Sequence, residues 1–123
     1  MLDAGALIAL ERNDRAVWSA LKLAALNGSD VIVPSSVLAQ VWRGRASQAR
    51  LSKALEYCVI ASFDAVARAV GELCGRARSS DICDAHLAIV AAAQADVLYT
   101  SDPKDLRLLL RTLGGHVPAV VLC

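Results

Sequence analysis

Short apolar, β-branched runs alternate with helix-length stretches along this whole sequence, and that alternation limits the fold more than any other feature. Met1-Leu2-Asp3 reads as the end of a strand running into a helix over 4–12. A second helix is expected over 14–26, with Asp14 as its N-cap and Asn27-Gly28 as its stop. Val31-Ile32-Val33, closed by Pro34, reads as a buried strand; Ser35 or Ser36 then caps a helix through Trp42 that Gly44 ends. The spacing predicts further helices over 47–57, 64–76 and 81–94, with a short strand at Val59-Ile60 between the first two. Val97-Leu98-Tyr99-Thr100 is a strand, and Ser101-Asp102-Pro103 starts a helix with proline at its first position. That helix runs to Leu113 and stops at Gly114-Gly115, and 117–122 supplies a last strand. The order argues for an α/β fold with a central parallel sheet of four to five short strands flanked by helices.

With 123 residues the chain is expected to be one domain, 1–123, large enough to bury a core. Its apolar residues are mostly Ala, Leu and Val, with aromatics at only 4%, which suits close helix-on-sheet layers better than a β-sandwich. A net charge of +1 gives no broad polyanion-binding surface, although local patches matter more than the sum. No run of 18 apolar residues appears, so no membrane span is expected. The 2–10 stretch is too short for a signal peptide and carries Asp3, so a cytoplasmic location is the expectation. Cys58, Cys74, Cys83 and Cys123 form no CxxC pair, and the two histidines complete no zinc spacing. They read as reduced, mostly buried thiols.

Ligands of an open parallel sheet bind outside the carboxyl ends of its strands, the edge where helices start. Asp3 follows the first strand and Asp102 follows the Val97–Thr100 run, while Asp81 and Asp84 open the intervening helix three residues apart, on one face. Four carboxylates from three segments are thereby aimed at one edge. Two unit charges about 4 Å apart repel by about 4 kcal/mol at an effective dielectric near 20. A divalent cation reverses that sign, and oxygen-only ligands select a hard ion, Mg²⁺ or Mn²⁺. Such an ion activates water and steadies an in-line phosphoryl displacement. Asp3, Asp84 and Asp102 are the candidate metal ligands, and with Asp81 they form the candidate catalytic set. Each also has a plainer reading. Asp102 before Pro103, with Asp105 three residues on, is what a helix cap looks like, and Asp81 is an ordinary first-turn acid. His86 is expected to be a partly exposed helical residue.

Three blocks resemble a known family. Leu2-Asp3-Ala4-Gly5-Ala6-Leu7-Ile8-Ala9 resembles the opening of PIN-domain nucleases, Asp84-Ala85-His86-Leu87-Ala88 their second acidic block, and Thr100-Ser101-Asp102 followed by Leu106 their third. Within that family the chain is similar to the VapC toxins of bacterial toxin–antitoxin pairs. The resemblance implies a PIN-type α/β/α sandwich, RNA cleavage dependent on Mg²⁺ or Mn²⁺, a homodimer, and inhibition by a protein antitoxin. Two departures stand out. Where the family carries a Glu after the second strand, Val37-Leu38-Ala39-Gln40-Val41 places Gln40, a candidate extra ligand through its carbonyl oxygen but without charge, and Asp81 is a candidate replacement. Only two residues precede Asp3, so either the first strand is expected to be short or the true start lies further upstream. Arg43 and Arg45, followed by Arg50 and Lys53, are candidate RNA-phosphate contacts, with Trp42 as a candidate stacking surface or else a core residue.

Rival readings remain at this point. A phosphoacceptor receiver domain would need an acidic pair at the first strand end, an Asp after the middle strand and a Lys near the last; Asp3 stands alone, and Ala61-Ser62 and Val120-Val121-Leu122 supply neither. A haloacid-type phosphatase would need DxD, where this chain has Asp3-Ala4-Gly5. A catalytically weak or dead PIN module acting through partner binding is the third, and Gln40 is its chief support.

Overall fold

A computed structural model describes residues 1–123 of the chain. Helix α1 (Ala4–Glu11) begins where the Asp3 carboxylate accepts the Ala6 amide at 2.8 Å, and α2 (Arg15–Leu26) where Asp14 accepts that of Val17 at 3.0 Å. Strand β1 (Val31–Pro34) leads into α3 (Ser35–Val41), and a 3-10 turn (Ala46–Gln48) precedes α4 (Ala49–Leu55) and β2 (Cys58–Ala61). After a second 3-10 turn (Asp64–Val66) come α5 (Ala67–Ala77), α6 (Ile82–Gln94), β3 (Val97–Thr100), α7 (Pro103–Leu113) and β4 (Ala119–Leu122). Two details differ from the sequence expectation. Neither serine caps α3: Ser35 Oγ accepts the Phe63 amide at 3.0 Å and Ser36 bonds His86, so both are spent on tertiary contacts. The stretches 47–57 and 64–76 each open as a 3-10 turn before becoming α-helix.

The class is α/β with short parallel strands flanked by helices, but the expected single central sheet of four to five strands is replaced by two two-stranded sheets, β1 with β2 and β3 with β4, both parallel. Residues Met1–Asp3 run between them. On one side Leu2 forms a parallel bridge to Tyr99: the Tyr99 amide donates to the Met1 carbonyl at 3.0 Å and the Asp3 amide to the Tyr99 carbonyl at 3.1 Å. On the other side the Leu2 amide donates to the Ile32 carbonyl at 3.0 Å. The bond that would complete a parallel bridge there runs from the amide of residue 34 to the Leu2 carbonyl, and residue 34 is proline, which has no N–H. The ladder stops for want of one donor. Pro34→Ala should supply it, and amide hydrogen exchange should then show a protected proton at position 34. Fast exchange there would mean that Met1–Asp3 and β1 are not true ladder neighbours.

One apolar core holds these pieces together, with Leu7, Leu10, Leu51, Leu73, Leu87, Leu98 and Leu110 fully buried. Helix α6 packs against α3, α5 and α7, and its inward positions Ala85, Ala88 and Ala91 are small enough to let those helices come close. In α7 the buried Leu106, Leu109 and Leu110 recur at helical spacing, which sets the one face that turns inward. The four cysteines are free, as expected, but only Cys74 is buried.

Candidate functional site

The three acidic segments meet at the starts of α1, α6 and α7. Asp3 is 8% exposed, and both its oxygens accept backbone N–H groups: Oδ1 that of Ala6, Oδ2 that of Ser101 at 3.1 Å. The side chain that caps α1 therefore also ties the β3–α7 turn to it, across 98 residues of sequence. Ser101 lies so close to α1 that a Cβ on Gly5 would fall inside the contact distance of its side chain. Asp102 comes next. It occupies the N-cap place before Pro103, yet its carboxylate makes no capping bond; the turn is fixed instead by the Asp102 amide donating to Thr100 Oγ1 at 3.0 Å. Its plainer reading as a helix cap is thus not the one the structure uses. For Asp81 it is: that carboxylate accepts the Asp84 amide at 2.9 Å and caps α6.

Asp84 sits one turn into α6, half-buried. Burial first, then the charge and carboxyl contact of Asp81, then the charges of Asp102 and Asp105, push its pKa from 3.8 up to about 6. No basic side chain counters them. Because the folded pKa is the higher one, the folded state binds more protons than the unfolded chain between about pH 4 and pH 6. Unfolding free energy contributed by this group therefore falls as pH rises through that window, the reverse of the usual carboxylate. Urea melts should show the parent losing stability relative to Asp84→Asn from about pH 4 to about pH 6, with a constant gap above. A gap that does not change with pH would remove the repulsion.

As placed, no three His, Cys, Asp or Glu side chains stand close enough together to hold a metal ion. Asp81, Asp84, Asp102 and Asp105 are electrostatic neighbours, while Asp3 joins them through Ser101 rather than through a shared ligand position. Gln40 is exposed on α3 and makes no hydrogen bond. Arg43 and Arg45 follow the C-terminal end of α3, whereas the acids lie at helix N-terminal ends. The Arg43 guanidinium donates to the carbonyls of Ala39 at 3.2 Å and Trp42 at 2.7 Å, capping that helix end.

His86 departs from expectation. It is fully buried, its Nδ1 2.6 Å from Ser36 Oγ and its ring edge-on to Phe63 at 5.1 Å, with Nε2 unpartnered. Burial lowers its pKa, with the Ser62 backbone opposing, so it is a neutral spacer between α6 and α3 rather than a solvent-facing base. Burial pushes Cys58 up to about 11 and raises Cys83 as well, which disfavours the nucleophilic thiolate at both. A cavity of about 600 Å³ lies between α2 and the starts of β1 and β3, lined by Leu21, Ala24, Val31 and Val97 among others, and shares no residue with the acidic set. No helix is long and apolar enough to cross a membrane. No protein-family model, curated protein or solved structure matches the chain.

Proposed function

We propose that the chain is a divalent-metal-dependent endoribonuclease of the PIN-domain type that cleaves single-stranded or structured RNA in the cytoplasm as the toxin of a VapBC-type pair. The observation that carries the reading is the state of Asp84: a half-buried carboxyl surrounded by Asp81, Asp102 and Asp105, with no basic partner. Structural acids are normally paired or solvated, and an arrangement that raises a carboxyl to about 6 is the kind found where a site is built for a ligand. The order β2, β1, Met1–Asp3, β3, β4, side by side through backbone hydrogen bonds, supports a PIN-like α/β/α sandwich.

The donor set fits Mg²⁺ or Mn²⁺ in chemistry, being oxygen-only and anionic. Asp84 and Asp102 are the residues that would hold the ion, with Asp81 and Asp3 beside them. When bound, it would supply Lewis-acid polarisation of a phosphate and an activated water. The chain's own part is to position. Asp3, fixed by two N–H donors, holds the Ser101–Asp102 turn against α1, and the Asp81 cap fixes the first turn of α6 that carries Asp84. A cleavage assay tests the reading: RNA should be cut with Mg²⁺ or Mn²⁺ and spared in EDTA, and chelation without effect would sink it. Co-expression with a short frame encoded immediately upstream should relieve growth inhibition if that frame is the antitoxin. Homodimerisation belongs to the same reading.

One observation favours a second reading, a catalytically dead module that works by binding a partner. Three carboxylates are not gathered within reach of one ion, and Gln40 brings no fourth charge. Calorimetric Mn²⁺ titration separates the two, since the dead module would take up no ion at the acidic edge.

A further inference from the structure

The segment Trp42–Lys53 concentrates charge in an otherwise balanced chain: Arg43, Arg45, Arg50 and Lys53, with no acidic residue among them. The loop at its start is not loose. Gln48 is 3% exposed, and its side chain accepts the amides of Arg43 at 2.8 Å and Gly44 at 3.1 Å while donating to the Val41 carbonyl at 2.9 Å and to Glu11 at 3.4 Å. A buried amide with every polar atom engaged gives a loop one conformation. Gly44 sits at φ 71°, a turn that a side chain would strain. What the loop holds out is a Trp and an Arg. Trp42 is 39% exposed, and its indole N–H makes no hydrogen bond, whereas that of Trp18 donates to the Leu10 carbonyl at 3.0 Å. Arg43 is committed to the end of α3, but Arg45 and Arg50 are exposed and unpaired.

We propose that the Trp42–Arg45 loop, held in place by buried Gln48, is a preformed recognition element for single-stranded RNA, stacking a base on Trp42 and contacting phosphates through Arg45 and Arg50. An exposed indole in one short segment with exposed, unpaired guanidinium groups is the pairing that single-stranded nucleic acid uses, base face against ring and backbone against charge. A folded acidic protein would match the charge but leave the ring without a purpose. The loop lies at the far end of α3 from the acidic edge, about 10 Å at 1.5 Å per residue, so it would grip the strand away from the scissile bond. Gln48 is a positioning residue here, since it is buried beneath the loop. The inference rests on the ribonuclease reading only for the identity of the polymer.

The test is a binding titration in EDTA, where no metal-dependent cleavage occurs, using a short single-stranded oligouridylate as the probe. The oligonucleotide should quench the emission of Trp42, and the quench should be missing from Trp42→Ala. That variant should bind about tenfold more weakly, the loss expected of one base stack. Arg45→Gln should weaken binding and lower the slope of log affinity against log salt by about 0.7. Gln48→Leu should weaken binding although it touches no RNA; Trp42→Ala and Arg45→Gln, both at exposed positions, carry the test if that variant does not fold. Parent-like affinity in both exposed variants overturns the proposal, as does a parent that binds no RNA. A parent that binds in EDTA with these losses but never cuts RNA with Mg²⁺ supports the loop and sinks the nuclease. A parent that cuts RNA while Trp42→Ala and Arg45→Gln bind normally does the reverse.

Discussion

In the proposed ribonuclease, Asp84→Asn should abolish metal-dependent RNA cleavage and at the same time make the protein more stable at neutral pH. Both effects come from one cause. The Asp84 carboxyl is ionised at neutral pH against burial and three neighbouring acids, a state that pushes its pKa up to about 6. Asparagine keeps the shape and removes the charge, so the folded protein loses a repulsion and any hard cation loses a ligand. Metal-site contributions of several kcal/mol correspond to a rate loss of about a hundredfold or more. The paired signs make the result diagnostic. A variant that merely damaged packing would lose activity and stability together. A variant with wild-type cleavage would remove Asp84 from the chemistry, and one with lost cleavage but lowered stability would point to a packing role instead. Urea melts and a single-turnover cleavage assay, both at pH 7.5, read the two effects separately.

Asp84 was visible in the sequence because an acid inside Ile82-Cys83-Asp84-Ala85 breaks an apolar pattern, and pattern breaks are local. The elements were visible for the same reason: Asp14 before α2, Asp81 before α6 and Pro103 at the start of α7 act on amides within a turn of themselves. What the sequence does not display is partnership across distance. Pro34 reads as the end of a strand, but its missing N–H matters only because Leu2 lies beside it. Nothing local marks Gln48 as a buried residue; its partners Val41 and Glu11 are brought to it by the fold. His86 reads as a partly exposed residue because its partner, Ser36, is 50 positions away. A Glu for Gln40 would have announced a ligand by its charge. An amide has no such signature, and in the structure it stands exposed without a partner.

Gly5→Ala should be among the most damaging single-methyl changes in the molecule, although it replaces glycine by the best helix former in the first turn of a helix. Propensity alone favours the substitution by up to about 1 kcal/mol. The backbone at Gly5 is ordinary helix, so no conformational freedom is at stake; the demand is for space. A Cβ there would overlap the Oγ and Cβ of Ser101 and stand 3.2 Å from its backbone nitrogen. That nitrogen is the donor to Asp3 Oδ2 at 3.1 Å, so the chain cannot retreat without breaking the bond that joins the β3–α7 turn to α1. Overpacking costs about 1–3 kcal/mol, and a lost hydrogen bond to a carboxylate about 1.5–3 kcal/mol. Together they outweigh the gain in propensity and leave a net loss of about 2–4 kcal/mol. Asp102, the residue after Ser101, should move with the turn, so cleavage should fall as well. The double variant Gly5→Ala, Ser101→Gly removes the overlapping atoms while keeping the amide donor, and it should recover most of both losses. Equilibrium melts of the two single variants and the pair form a double-mutant cycle whose coupling should exceed about 1 kcal/mol, well outside the additivity of independent sites. Additive values, or a Gly5→Ala protein as stable as the parent, would mean that α1 and the β3–α7 turn do not meet as closely as the Asp3–Ser101 bond requires.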